Sequence, residues 1–205
     1  MKLYYHPISH NCRRVLATIY ENGLKDVDLV KVDLFKGEHT KPDFLAVNPN
    51  GKIPVLVDGD FILWESTAIM QYLSSNSSLW PPSKVRYDII RWQCWGIAHW
   101  GPAIGKVVFE RLVKPMVGGG DADEDLIASG TAEFERFAAV LDAHLNNRDW
   151  LVGEGITLAD LSIASNLTFA AAARLDSAPY ANITRWYGTI QQRDSWQKSA
   201  PPALD

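Results

Sequence analysis

Ten residues near the start of the chain, Tyr5 to Arg14, carry most of the reactive side-chain types: a phenol (Tyr5), two imidazoles (His6, His10), a hydroxyl (Ser9), an amide (Asn11), a thiol (Cys12) and two guanidiniums (Arg13, Arg14). They bracket the place where a run of β-forming residues stops at Pro7 and helical spacing begins. A hydroxyl, amide or phenol at such a junction can donate a hydrogen bond to an anion, and a helix start favours negative charge. A thiol there can act as a nucleophile. Each type also has an ordinary structural use: Ser as an N-cap, Tyr in a strand, a Cys one turn into a helix as core. More polar groups lie in loops: His39 and Lys41 in GEHTK, Lys52 in NGK, and Glu65-Ser66 ahead of an apolar run. Thr157 and Asp160 are spaced as a capping box, with Ile156 and Leu161 as its hydrophobic staple, and their reading is structural.

The elements that must position these groups fall into two regions. Over residues 1–76, KLYYH reads as a strand ending at Pro7. CRRVLATIYENGL carries Val15, Leu16, Ile19 and Tyr20 at helical spacing and stops at Asn22-Gly23, a good C-terminal cap. VDLVKVD alternates with period two and is a second strand. A polar stretch follows, with one short helix expected around residues 42–47. VLVDGDFILW is a hairpin turning at Asp58-Gly59-Asp60, and ESTAIMQYLSS is an amphipathic helix. Two strands joined through a helix require a parallel crossover, and the hairpin is antiparallel, so the topology is thioredoxin-like. Polar residues and Pro81-Pro82 mark a linker over 77–83. Beyond it, over 84–205, strand signals vanish. Helices are expected over about 82–117, 123–145, 158–174 and 180–193, with Pro102 kinking the first. The tail SAPPALD reads as frayed or irregular chain.

Composition narrows the function. The chain has 205 residues, 47% apolar and 21% charged, as in ordinary soluble proteins. Its net charge of -4 gives no general attraction to nucleic acid or anionic membrane. Two cysteines, Cys12 and Cys94, make neither a disulfide framework nor a zinc site. Free thiols, no apolar signal segment and no membrane-length run point to the cytoplasm. No metal is expected. Five of the eight Trp fall between Trp64 and Trp100, a cluster that serves a core first and a pocket wall second.

Four segments, in this order, resemble the cytosolic glutathione transferase family: the strand-to-helix turn HPISHNCRRV, the loop NGKIPVL, the helix start LWESTAIMQYL and the capping segment GITLADLSIA. The match is to bacterial, serine-type members similar to the phi, theta and nu classes. It implies an α/β thioredoxin-like domain followed by an all-α domain, a homodimer, and a detoxifying transferase with glutathione as co-substrate. The glutathione thiolate would attack a small apolar electrophile or a peroxide.

The resemblance also implies roles. Pro54 is expected to follow a cis bond, leaving the Ile53 N–H and C=O to pair with an extended tripeptide. Ser66 and the free N–H groups of its helix start suit the γ-glutamyl carboxylate, and Glu65 its ammonium. His39, then Lys52 or Lys41, suits the glycyl carboxylate. A free thiol has a pKa of about 8.5, and lowering it two units takes about 2.7 kcal/mol. One hydrogen bond to a charged acceptor supplies about 1.5–3 kcal/mol, so one hydroxyl is nearly sufficient. Ser9 matches the family's catalytic serine, Asn11 is a second donor, and Tyr5, at the place of the phenol in tyrosine classes, is the rival. Ser9-His10-Asn11-Cys12 stands where thioredoxin has Cys-x-x-Cys, but the attacking first position is Ser. A second-substrate pocket is expected between the domains from Ile8, Phe35, Trp95, His99 and Trp100. Two other functions stay open: a glutathione-dependent thiol/disulfide reductase using Cys12, and a non-enzymatic partner-binding module.

Overall fold

Leu3 and Leu56 face each other across two strands and are both fully buried, while Tyr4 and Val55, one residue on, point to the opposite face. That alternation organises the sheet in the computed structural model, which describes residues 1–202. The last three residues of the expected tail lie outside the described residues. The strands are β1 (Lys2–Tyr5), β2 (Asp28–Lys31), β3 (Val55–Asp58) and β4 (Phe61–Trp64), in the order β2-β1-β3-β4. β1 and β2 are parallel, joined by helix α1 (His10–Glu21), and the other pairings are antiparallel. A 3-10 turn (Glu38–Thr40) and α2 (Pro42–Leu45) lead into β3, and α3 (Ser66–Leu73) follows β4. α3 packs against β3, β4 and α1. On the other face, Tyr4 and Val55 pack with Val32 and Phe44 of the β2–α2 region.

The register decides where the loops leave the sheet. Tyr5 is opposite Lys31, Tyr4 opposite Val55, and Val55 opposite Trp64. The ends of β1, β2 and β4 and the start of β3 therefore form one rim.

The chain divides into two compact units. The first is Met1–Trp80 together with the chain from Gln192 onward, and the second is Pro81–Gln191. The end of the chain thus groups with the first unit, whereas the linker-and-helical-domain expectation kept it with the second. Its short helix α10 (Asp194–Lys198) packs on α1.

In the second unit, α4 (Val85–Trp95), a π turn (Gly96–Trp100), α5 (Gly101–Val108), a second π turn (Phe109–Val113) and α6 (Lys114–Met116) run on end to end. Pro102 and Pro115 each stand just past a π turn, within the first two residues of α5 and α6. The expected kink at Pro102 is met by that widened turn, in which the Gly101 N–H reaches the Gly96 carbonyl. A Cβ on Gly101 would meet that carbonyl oxygen at 2.8 Å and Asn166 Oδ1 at 3.0 Å, so the spot requires glycine.

α7 (Glu124–His144) is capped by Asp123, whose carboxylate accepts the Leu126 N–H at 3.0 Å. α8 (Leu158–Asn166) is buried on every side. It stops eight residues before the expected Arg174, which itself has φ of 58°. α9 (Ala181–Gln191) completes the unit. The capping box at Thr157 is present, and Asp160 is fully buried. Its Oδ1 accepts from the Leu151 N–H and the Trp186 indole, both at 2.9 Å, and its Oδ2 from the Thr157 N–H and hydroxyl at 2.8 and 3.0 Å.

Candidate active site

The turn after β1 is held by backbone and imidazole. The Ser9 N–H donates to the His6 carbonyl at 3.1 Å, and the Ile8 N–H donates to His6 Nδ1 at 3.4 Å. His6 is buried, and burial, then nearby Lys31, lowers its pKa and favours the neutral ring that accepts this bond. Ser9 is the extended N-cap of α1, and its Oγ accepts the Cys12 N–H at 3.3 Å. The same hydroxyl hydrogen-bonds the Cys12 thiol, and a thiolate arriving at the positive end of the helix is a stronger acceptor than that neutral sulfur. Asn11 is half-buried in the first turn, and Tyr5 is half-buried at the end of β1.

Cys12 is fully buried, and burial pushes its thiol up to about 11. Such a thiol is protonated at neutral pH and has no surface for attack. His10 is driven down to about 3 by burial and Arg14, so it is neutral.

The same rim carries the other expected groups. The Ile53–Pro54 bond is cis. Among the described residues, no hydrogen bond reaches the Ile53 N–H or C=O. The loop before it is built on Asn48, a buried residue that sequence reading passed over. Its amide donates to the Lys52 carbonyl at 2.6 Å, and its Oδ1 accepts the Asn50 N–H at 3.0 Å. The signal was present in NPNG, where Asn followed by Pro and Gly marks a side-chain-stabilised turn.

Gly51, at φ of 61°, lies so close to the 3-10 turn that a Cβ there would be 3.2 Å from the His39 carbonyl oxygen. The NGK loop and His39 are therefore neighbours. His39 Nδ1 is buried and has no hydrogen-bond partner among the described residues. Lys52 and Lys41 are exposed. Lys41 lines a separate groove of about 320 Å³ with Tyr4, Val30, Phe44 and Val47, on the β2–α2 side of the sheet.

Glu65 joins β4 to α3 in a left-handed conformation, φ 73° and ψ 112°, that a side chain rarely adopts. It is exposed, while Ser66, the first residue of α3, is buried. Holding a non-glycine residue there takes about 1–3 kcal/mol, and such strain concentrates at ligand sites. Ser9, Ile53-Pro54 and Glu65-Ser66 are thus gathered at one rim, with His39 and Lys52 in the neighbouring loops that flank it.

Two family models match the chain: the N-terminal domain of glutathione S-transferase over residues 3–81 and its C-terminal domain over residues 101–194. The chain belongs to the glutathione S-transferase family. Glutathione S-transferase 3 of Zea mays is 36% identical over 207 residues, covering 97% of this chain and 92% of that protein. The crystal structure of glutathione transferase F7 from Populus trichocarpa aligns with a TM-score of 0.90 at 30% identity, over 97% of both chains. A structure of glutathione S-transferase I bound with lactoylglutathione aligns at 0.87 with 28% identity, over 97% of both chains. The named sources are plants, where bacterial relatives were expected.

The remaining expected residues divide between the units. In the first, Ile8 is half-buried in the Ser9 turn, and Phe35 is 55% exposed with its ring edge-on to His6 at 5.8 Å. In the second, Trp95 is half-buried and His99 exposed, 5.3 Å from the Phe137 ring. Trp100 is core: it is fully buried, stacked on Trp95 and Phe134, and its indole donates to the Ile163 carbonyl at 3.3 Å. Among the described residues no helix is long and apolar enough to cross a membrane, and no cluster of three His, Cys, Asp or Glu could hold a metal.

Proposed function

We propose that this family member is a serine-type glutathione transferase in which Ser9 donates to the glutathione thiolate. The observation that carries the reading is the register of the sheet. It gathers one half-buried hydroxyl, the unpaired backbone of Ile53 and one helix start, the three things an extended anionic tripeptide with a reactive thiol needs. The γ-glutamyl group is held by Ser66, the α3 N–H groups and Glu65. The cysteinyl backbone pairs with Ile53 ahead of Pro54, and its sulfur lies by Ser9 with Asn11 beside it. The glycyl carboxylate is taken by His39, backed by Lys52. Ile8 and Phe35, next to the Ser9 turn, are the first-unit contacts for an apolar electrophile or a peroxide. The glutathione derivative bound to a relative supports the ligand.

Ser9 supplies a hydrogen bond that strengthens as charge collects on sulfur, which favours the anion over the thiol. The deprotonated sulfur then attacks the electrophile. A reductase working through Cys12 is disfavoured, because that thiol is buried and its pKa is raised. We also read the chain as a homodimer. On the edge strand β4 and on α3, Phe61 and Tyr72 on one side of the sheet and Ile62 and Trp64 on the other are each about two-fifths to one-half exposed, apolar surface that association along this edge would cover.

The test is an ultraviolet titration of bound glutathione thiolate in wild type, Ser9→Ala and Tyr5→Phe, with light scattering for mass. Loss of thiolate in Ser9→Ala alone supports the assignment. Loss in Tyr5→Phe with Ser9→Ala intact transfers the role to the phenol.

A further inference from the structure

The end of the chain returns to the helix that presents Ser9. α10 packs on α1, where Arg13 and Glu21, spaced i, i+8, mark the two ends of one stripe. At the front of the stripe the Arg13 guanidinium stacks on the Trp196 ring, 4.0 Å from its centroid, and donates to the Trp196 carbonyl at 3.4 Å. Arg13 and Trp196 are 7% and 2% exposed, so the stack is dry. At the back, the Glu21 carboxylate accepts from Arg193 through two nitrogens and from the Ser195 hydroxyl. The two anchors stand eight residues apart, about 12 Å along the helix.

Arg13 is also the residue whose N–H closes the first turn onto the Ser9 carbonyl, at 2.8 Å. The stack therefore grips the turn that carries the hydroxyl. A helix held at both ends of one stripe can neither slide nor roll. A roll of about 10° carries an atom about 5 Å from the axis through about 1 Å. A displacement of about 1 Å in a reacting geometry can lower a rate about a hundredfold.

We infer that Arg193, Ser195 and Trp196 form a clasp on α1, and that Arg13 and Trp196 are positioning residues for the Ser9 hydroxyl. This rests on the reading of Ser9 as the thiolate donor. Arg suits the place better than Lys because its flat, weakly hydrated face can stack while its nitrogens still donate. The clasp acts only through Ser9, since neither residue needs to touch glutathione.

The experiment is the thiolate titration of bound glutathione in Trp196→Leu, Trp196→Phe and Arg13→Lys, each alone and in a Ser9→Ala background, with thermal melts to certify folding. At a pH below the wild-type midpoint, Trp196→Leu lowers the thiolate fraction at least about threefold. Trp196→Phe, which keeps a ring for Arg13, restores most of it. In the Ser9→Ala background Trp196→Leu has no further effect. A folded Trp196→Leu with wild-type thiolate reduces the clasp to a stability element and overturns the inference, as does an equal loss with and without Ser9. If Trp196→Leu does not fold, Arg13→Lys, which keeps the charge but not the flat face, carries the same expectation. Ser9→Ala alone leaving the thiolate intact sinks the Ser9 reading instead, whatever the Trp196 variants do.

Discussion

The Ser9 hydroxyl oxygen accepts the Cys12 amide at 3.3 Å, so the group that caps the helix is also the hydroxyl proposed to donate to the thiolate. Removing it tests both uses. Ser9→Ala should lower stability by about 1 kcal/mol as a lost N-cap. It should lower kcat/KM by about 10- to 150-fold as a lost hydrogen bond to a charged acceptor. Ser9→Thr should keep most of both. Steady-state kinetics beside urea unfolding separates the two effects.

The two thiols should behave as opposites. Cys94 is exposed and Cys12 is buried with its pKa raised to about 11. A disulfide reagent at neutral pH should titrate one thiol quickly in the native protein and the second only on unfolding. Cys12→Ala should leave transferase activity within about threefold of wild type, provided the core tolerates the small void. Fast loss of both thiols from the folded protein would restore Cys12 as a reactive group.

Asp160→Asn should destabilise the second unit by about 3 kcal/mol. Each carboxylate oxygen accepts two donors, so an NH₂ in either place faces donors with a donor. Asp160→Ala should be at least as severe. Denaturant unfolding followed through Trp fluorescence reads the change, and an unchanged midpoint would show that the network contributes little.

Glu21 gives a pH dependence with a definite sign. Burial raises its pKa, but the hydrogen bonds from Arg193 and Ser195 and the Arg193 charge outweigh this, and the net shift is downward from 4.5. Its contribution is present above the ordinary glutamate pKa and fades as pH falls through the lower folded value. Glu21→Gln should therefore be less stable than wild type near neutrality, and the difference should shrink in acid. A gap that widens in acid would reverse the assignment.

His39→Ala should weaken glutathione binding about 5- to 30-fold, as expected for a lost charge-assisted bond. The same variant should bind the glycyl amide of glutathione as well as wild type does. Calorimetry with both ligands makes the comparison, and equal weakening for both would move the carboxylate contact elsewhere.

Local signals in the chain reach as far as local physics does. Pro7 followed by Ser9, the Asp58-Gly59 turn and the Thr157–Asp160 pair each state their structure within a few residues. The return of Arg193, Ser195 and Trp196 to α1 does not, because their partners Arg13 and Glu21 lie more than 170 residues away. Trp100 shows a different limit. The π turn at Gly96–Trp100 inserts a residue into the helical count, so the phase read along RWQCWGIAHWGPA drifts and core cannot be told from wall. α8 is buried all round, so it offers no polar face to mark where it stops. Glu65 shows a third: nothing in its type forecasts a left-handed backbone, which only the junction of β4 and α3 demands.

The shared rim has one more consequence. Since every proposed glutathione contact leaves the sheet at that end, the opposite end, with its turns at Asn22-Gly23 and Gly59-Asp60, has no part in the chemistry. Mutational drift there is screened by folding alone. The same four strands therefore offer a working rim and a margin that can be rewritten, and a label or graft at the exposed Lys25 belongs to the margin.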